Sequence, residues 1–234
     1  MKHGKKPVIL INYKTYAEAT GRKALILTKE IERVALDSYA YVAVAPQFAD
    51  IRMIAENTEL PVFAQHVDPI EEGSNTGHVL ASCIKEAGAV GTIINHAEKR
   101  LRIADIEKII KICKKHELIC VACANTPGVS ASLSTLSPNY VAVEPPELIG
   151  GDISVSVAKP DVVKGAVDAV KRVNKGVGVL CGAGVKNEND VYRALALGVD
   201  GVLLASGVVK AKKPGNVMAD LLKGVEKYLK EGLR

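Results

Sequence analysis

Tryptophan is absent and phenylalanine occurs only twice, so aromatic side chains make up 4% of the 234 residues. That scarcity excludes an aromatic platform for stacking unpaired bases. It leaves the core to Val, Ile, Leu and Ala, the branched and small residues that favour buried strands covered by helices. Cysteine is sparse too: five in the whole chain, an odd number, thinly spread. This argues against a secreted disulfide framework and for reduced thiols buried as small hydrophobes. No apolar run approaches the roughly 18 residues of a membrane span, and Met1 to Lys6 is polar with no apolar stretch behind it. Neither a membrane nor a secretory route is therefore expected, and the expected compartment is the cytoplasm. One sign of charge scarcely dominates. Against 26 acidic residues stand 31 basic ones, a net charge of +5, with the lysines in short pairs such as Lys5-Lys6, Lys114-Lys115 and Lys212-Lys213. Without a basic stripe, no nucleic-acid partner is expected.

What the chain does have is the balance of a globular protein, 48% hydrophobic and 24% charged. Short runs rich in β-branched residues alternate with longer segments of helical period, the pattern of a parallel sheet built from βα units. Eight such runs occur: Val8 to Tyr13, Tyr39 to Ala45, Pro61 to His66, Val90 to Asn95, Leu118 to Ala124, Tyr140 to Glu144, Val177 to Cys181 and Gly201 to Leu204. Candidate helices lie near 21–36, 48–57, 79–87, 101–116, 127–135, 160–173, 187–197 and 215–230. Asp50 and Lys159-Pro160 serve as start signals and Ser137-Pro138 as a turn. Eight strands, each followed by a helix, in this length predict an α/β fold: a single closed (β/α)8 barrel spanning 1–234, with little room for insertions. An open doubly wound sheet is the rival, but the glycine fingerprint of a dinucleotide-binding first turn is missing after Tyr13.

In such a barrel the site lies where the strands end. The first strand ends in Asn12-Tyr13-Lys14, the third in Gln65-His66, the fourth in Asn95-His96-Ala97-Glu98 and the sixth in Glu144-Pro145-Pro146. The seventh runs into Cys181-Gly182-Ala183-Gly184 and the eighth into Ala205-Ser206-Gly207. A cation, an imidazole and a carboxylate facing small residues suit an anionic phosphate substrate and proton transfer. The series Cys113, His116, Cys120 and Cys123 invites zinc. However, a separation of three on a strand sends Cys120 and Cys123 to opposite faces, so no metal site is expected.

Taken in order, these motifs resemble the triosephosphate isomerase family over essentially the whole chain. They are Asn-x-Lys on the first strand, Asn-His-x-Glu after the fourth, Val-Glu-Pro followed by Ile149-Gly150, Gly-Ala-Gly-Val at 182–185, and the segment from Asp200-Gly201 to Ala205-Ser206. The short length and Pro145-Pro146-Glu147-Leu148 resemble the archaeal branch, whose members are often tetramers. The resemblance implies interconversion of dihydroxyacetone phosphate and D-glyceraldehyde 3-phosphate through an enediolate, as in glycolysis and gluconeogenesis, with no cofactor. It implies Glu144 as the base, His96 as the neutral electrophile, Lys14 as the fixed positive charge and Asn12 as an amide donor. Phosphate would be held by backbone N–H groups of Gly150, Gly184, Ala205 and Ser206, with Ile149 beside the substrate under a lid formed by 145–151. Asn95 and Glu98 would support Lys14 and the strand ends. Two departures stand out. Ala205-Ser206 replaces the two glycines of many relatives and narrows the allowed φ, and Ala97 stands where a serine is common.

Two other functions fit the same scaffold less well. An aldolase needs a Schiff-base lysine inside the barrel, and strands four to seven contain none. A non-catalytic phosphate-binding protein would have lost at least one of Lys14, His96 and Glu144, and all three are present.

Overall fold

The computed structural model describes residues 6–145, 159–182 and 184–232. Strands β1 (Val8–Asn12), β2 (Tyr41–Ala45), β3 (Val62–Ala64), β4 (Ala89–Ile94), β5 (Ile119–Ala124), β6 (Tyr140–Val143), β7 (Gly178–Gly182) and β8 (Gly201–Leu204) pair in parallel, each with the next. The ring closes where β1 pairs with β8, Val8 opposite Gly201 and Ile11 opposite Leu204. This is the closed barrel expected from the alternation of runs.

Because side chains on a strand alternate between faces, the barrel has two cores. Val8, Leu10, Ala43, Phe63, Ile93, Val121, Cys123, Ala142, Leu180 and Leu203 fill its interior. Their neighbours, among them Ile9, Ile11, Val44, Ile94, Cys120, Val141 and Val202, face outward against the helices. Cys120 and Cys123 therefore lie on opposite sides of β5, as their spacing demands. Among the described residues, no cluster of His, Cys, Asp or Glu is placed to hold a metal ion.

The helices are α1 (Arg22–Ala35), α2 (Ile51–Ala55), α3 (Ala81–Glu86), α4 (Ile103–Lys115), α5 (Pro127–Ser134), α6 (Pro160–Val173), α7 (Glu188–Ala196), α8 (Ser206–Val209) and α9 (Pro214–Gly232). In α1 the buried positions are Ala24, Leu27, Thr28, Ile31, Glu32 and Ala35, the helical stripe that packs on the strands. Pro127 and Pro160 open α5 and α6 at a first-turn position, where a missing N–H costs nothing. No helix among the described residues is long and apolar enough to cross a membrane.

Three local features differ from expectation. Asp50 precedes α2 but does not cap it; its Oδ2 accepts the Gly21 N–H at 2.9 Å and so satisfies the start of α1. Helix α8, between β8 and α9, went unforeseen because four residues carry no readable period. Third-strand pairing is also shorter than expected, with Gln65 and His66 lying past its end.

Candidate active site

The alternation that fills the barrel also aims the polar residues at its mouth. Following Val8 and Leu10 inward, the same face carries Asn12; following Ala142, it carries Glu144. Asn12, Lys14, His96, Glu144, Gly184, Ala205 and Ser206 line one cleft, together with Tyr16, Val185, Lys186 and Gly207. The cleft encloses about 490 Å³ of space, part of it open to solvent. Seven of the residues singled out in the sequence thus meet at one place. Ile149, Gly150 and the rest of the lid beyond Pro145 lie outside the described residues.

Lys14 is held from three directions. Its backbone takes a left-handed conformation, φ +49°, which costs an L-residue on the order of 1 kcal/mol. The turn is fixed by Asn12 Oδ1, which accepts the Lys14 N–H at 2.9 Å, and by Gln65, whose Nε2 donates to the carbonyls of Lys14 and Ala45. The Asn12 bond occupies the oxygen of that amide and leaves Nδ2 as its donor. Finally Lys14 Nζ donates to Glu98 Oε1 at 2.7 Å. The lysine side chain is only 12% exposed, so this pair is screened less than an ordinary surface ion pair.

His96 is oriented by the same acidic residue. The backbone N–H of Glu98 donates to His96 Nδ1 at 3.1 Å, so Nδ1 must be unprotonated and the ring N–H sits on Nε2. That nitrogen lies 3.6 Å from Glu144 Oε2. Just before it, Asn95 adopts φ +55°, and its side chain spans two strands' ends: Nδ2 donates to the Cys123 carbonyl at 2.9 Å and Oδ1 accepts from Leu101 N. Asparagine tolerates this conformation better than most residues. The bend it creates turns His96 toward the cleft.

Glu144 is buried, its backbone N–H tied to the Ala124 carbonyl at 2.7 Å. Its Oε2 accepts no hydrogen bond, a costly state for a buried carboxylate oxygen and one typical of a group kept ready for a reacting partner. Beneath it, burial and then the carboxylate's charge push the Cys123 thiol far above its ordinary range, so that this cysteine stays a neutral packing group. The carboxylate lies directly over Gly182, where a Cβ would come within 2.3 Å of Glu144 Cγ. On the far wall, Gly184 has φ +72°, and Ala205 has φ −143° with ψ −92°, outside the regular helical and extended regions.

An imidazole with its N–H on Nε2, a buried carboxylate with a vacant oxygen and a part-buried lysine on one barrel mouth match the motif order read from the sequence. The chain matches the triosephosphate isomerase family over residues 7–225. It belongs to that family. Among its relatives, the triosephosphate isomerase of Methanocaldococcus jannaschii is 53% identical over 216 residues, covering 92% of this chain and 99% of that protein. Those of Methanothermus fervidus and Methanosarcina acetivorans are 50% and 51% identical, each over 217 residues, 93% of this chain and 98% of theirs. Membership in the family makes the chain an isomerase.

Two contributors to this isomerase site were not foreseen from the sequence as such. Gln65 was visible only as a polar residue at a strand end, and Gly182 only as part of a turn. A sequence signal existed for both: each continues the inward parity of its strand, Phe63 to Gln65 and Leu180 to Gly182.

Proposed function

We propose that this cleft interconverts dihydroxyacetone phosphate and D-glyceraldehyde 3-phosphate, with Glu144, His96, Lys14 and Asn12 as the groups that touch the reacting atoms. The observation that carries the reading is the pairing of His96 Nε2 with Glu144 Oε2 at 3.6 Å, the first a donor and the second without a hydrogen bond. Glu144 takes a proton from the carbon beside the carbonyl, and the C–H electron pair moves toward the carbonyl carbon to form an enediolate. The hydroxyl proton of the first carbon passes to the former carbonyl oxygen by way of His96 Nε2, and the same carboxyl returns its proton to the former carbonyl carbon, which leaves the new carbonyl on the first carbon and balances atoms and charge. His96 donates from Nε2 to the oxygens on which negative charge develops. Lys14 adds a fixed positive charge close by, which favours the enediolate over the neutral ketone or aldehyde. Asn12 Nδ2 donates to the same oxygens. These roles are the family's, carried over residue by residue onto matching positions.

At the other end of the cleft, backbone N–H groups of Gly184, Ala205 and Ser206 hold the phosphate, joined by Gly150 with Ile149 over the substrate. Gly184's left-handed backbone supports this, since the geometry turns main-chain N–H groups outward at little steric cost. Asn95 and Glu98 act through the residues they hold. No cofactor or metal enters the chemistry. We place the reaction in glycolysis and gluconeogenesis, in the cytoplasm, and expect a homo-oligomer, a tetramer in preference to a dimer. Exposed Ile26, Ile103, Val129 and Val173 on the outer helices are surface that an assembly would cover. A coupled assay with D-glyceraldehyde 3-phosphate tests the function. Turnover in the parent that disappears in Glu144→Gln supports it, and a folded parent without turnover overturns it.

A further inference from the structure

We propose that Tyr16 is a positioning residue of this cleft. With Lys210 across its ring, it fixes the spacing between Lys14 at the reacting end and the main-chain N–H groups of Ala205 and Ser206 at the phosphate end. The proposal rests on the triose phosphate reading above. Tyr16 brings a phenol ring to the lining of the cleft. Its main chain is fixed two residues beyond Lys14. The Tyr16 N–H donates to the Tyr13 carbonyl at 3.4 Å, and the Tyr16 carbonyl accepts the Ala19 N–H at 2.9 Å and the Thr20 hydroxyl at 3.0 Å, which holds the short turn Ala17–Ala19 in place. The ring is half-buried and packs against the outer core. Over its face stands the Lys210 ammonium, Nζ 4.4 Å from the ring centre, within the range of a cation–π contact.

Lys210 belongs to the other end of the cleft. It closes α8, its N–H donating to the Ser206 carbonyl at 3.0 Å, one helical turn from the residues assigned to the phosphate. Val208 and Val209 in that turn are buried, which anchors α8 to the core. The contact therefore spans the seam where β1 meets β8. Strand pairing at this seam ends with Ile11 opposite Leu204, so the sheet itself does not hold Lys14 to Ser206. A triose phosphate reaches from one end to the other, and a shift of roughly 1 Å between them is enough to misplace the reacting carbons. The contact between Tyr16 and Lys210 involves no substrate atom, so it acts through population. It keeps the two ends in the arrangement that a spanning ligand needs. Its loss raises the apparent dissociation constant of such a ligand in inverse proportion to the fraction of chains that keep the arrangement. A ligand that touches only the phosphate end is indifferent to it.

The test reads inhibition of the isomerisation by two ligands. Glycerol 3-phosphate carries the carbons and phosphate of the substrate without a carbonyl and spans the cleft; inorganic phosphate occupies one end. In Lys210→Met, the inhibition constant of glycerol 3-phosphate and the KM of D-glyceraldehyde 3-phosphate should rise about two- to fivefold, the size of a cation–π contact near the surface, while the inhibition constant of inorganic phosphate stays parental. Lys210→Arg and Tyr16→Phe, which keep a cation and a ring, should stay near the parent, and Tyr16→Leu should lose at least as much as Lys210→Met. Once Tyr16→Leu is in place, Lys210→Met should cost nothing further. Equal weakening of both inhibitors in Lys210→Met overturns the proposal, because the lysine would then act as a charge on the phosphate itself. So do parental constants for both, or additive losses in the double variant. Lys210 is exposed, so its variants decide the matter even where Tyr16→Leu fails to fold. Should the parent not turn over triose phosphate at all, the functional reading fails. Calorimetric titration of parent and Lys210→Met with the same two ligands then still decides the spacing role: weaker binding of glycerol 3-phosphate alone supports it, and any other result refutes it.

Discussion

Adding one methyl group at Gly182 examines the position of Glu144 without touching its chemistry. A Cβ there would stand 2.3 Å from Glu144 Cγ, 2.6 Å from Oε1 and 2.8 Å from Cδ. Ordinary contact begins near 3.4 Å, so in Gly182→Ala the two carbons must separate by 3.4 − 2.3 = 1.1 Å. Gly182 is fixed in β7, paired with Leu203 of β8, and Glu144 N is pinned to the Ala124 carbonyl. The side chain of Glu144 is therefore the part that yields. A misplacement of roughly 1 Å in a proton transfer costs on the order of 10²-fold, and this should appear in kcat. The methyl also overpacks the barrel mouth, which costs about 1–3 kcal/mol and lowers Tm by several degrees without unfolding the barrel. Kinetics from the coupled isomerase assay and a thermal melt on the same preparation separate the two effects. A folded Gly182→Ala with parental kcat would refute the reasoning, since the carboxylate seen over Gly182 would then not be near its working position. The double variant with Glu144→Gln sharpens the test: once the base is gone, the methyl should cost stability but no further rate.

Replacing Lys14 by Met keeps the length of the side chain and removes its charge. Both KM and kcat should suffer, with kcat/KM falling on the order of 10³-fold, and a near-parental KM in the steady-state assay would show that the phosphate end of the cleft alone supports binding. Glu32 offers a pH test of stability. Burial by itself raises its carboxyl, but bonds from Lys29 Nζ, Thr58 Oγ1 and the Glu59 N–H outweigh burial and hold it below the ordinary value. A carboxyl lowered on folding adds stability above its unfolded pKa and loses it as pH falls through the folded one. Glu32→Gln should thus cost about 1–2 kcal/mol at pH 7, with the gap from the parent closing below about pH 4, as read from urea unfolding across pH. A gap independent of pH would mean that packing, and not charge, holds α1 to the loop before β3.

The sequence by itself determined the things that repeat locally. Alternating runs such as Val8-Ile9-Leu10-Ile11 put one residue set inside the barrel and the next against a helix, and the count of runs pointed to closure. The same parity carried Asn12 and Glu144 to the mouth, and the order of short motifs identified the family and with it Lys14 and His96. Tertiary structure alone decided how those groups are held. Asp50 looks like the cap of its own helix and instead satisfies Gly21 at the start of another. Glu98 is an ordinary exposed acid in sequence, yet in space its side chain takes Lys14 and its backbone takes His96, 84 residues from the lysine. Gln65 reaches back 51 residues to the Lys14 carbonyl, and Gly182 makes room for Glu144. The division has a physical cause. Face and period follow from the rotation per residue and are written in near neighbours. Contacts between strand ends depend instead on how neighbouring strands are registered around the closed barrel, which no local stretch of chain encodes.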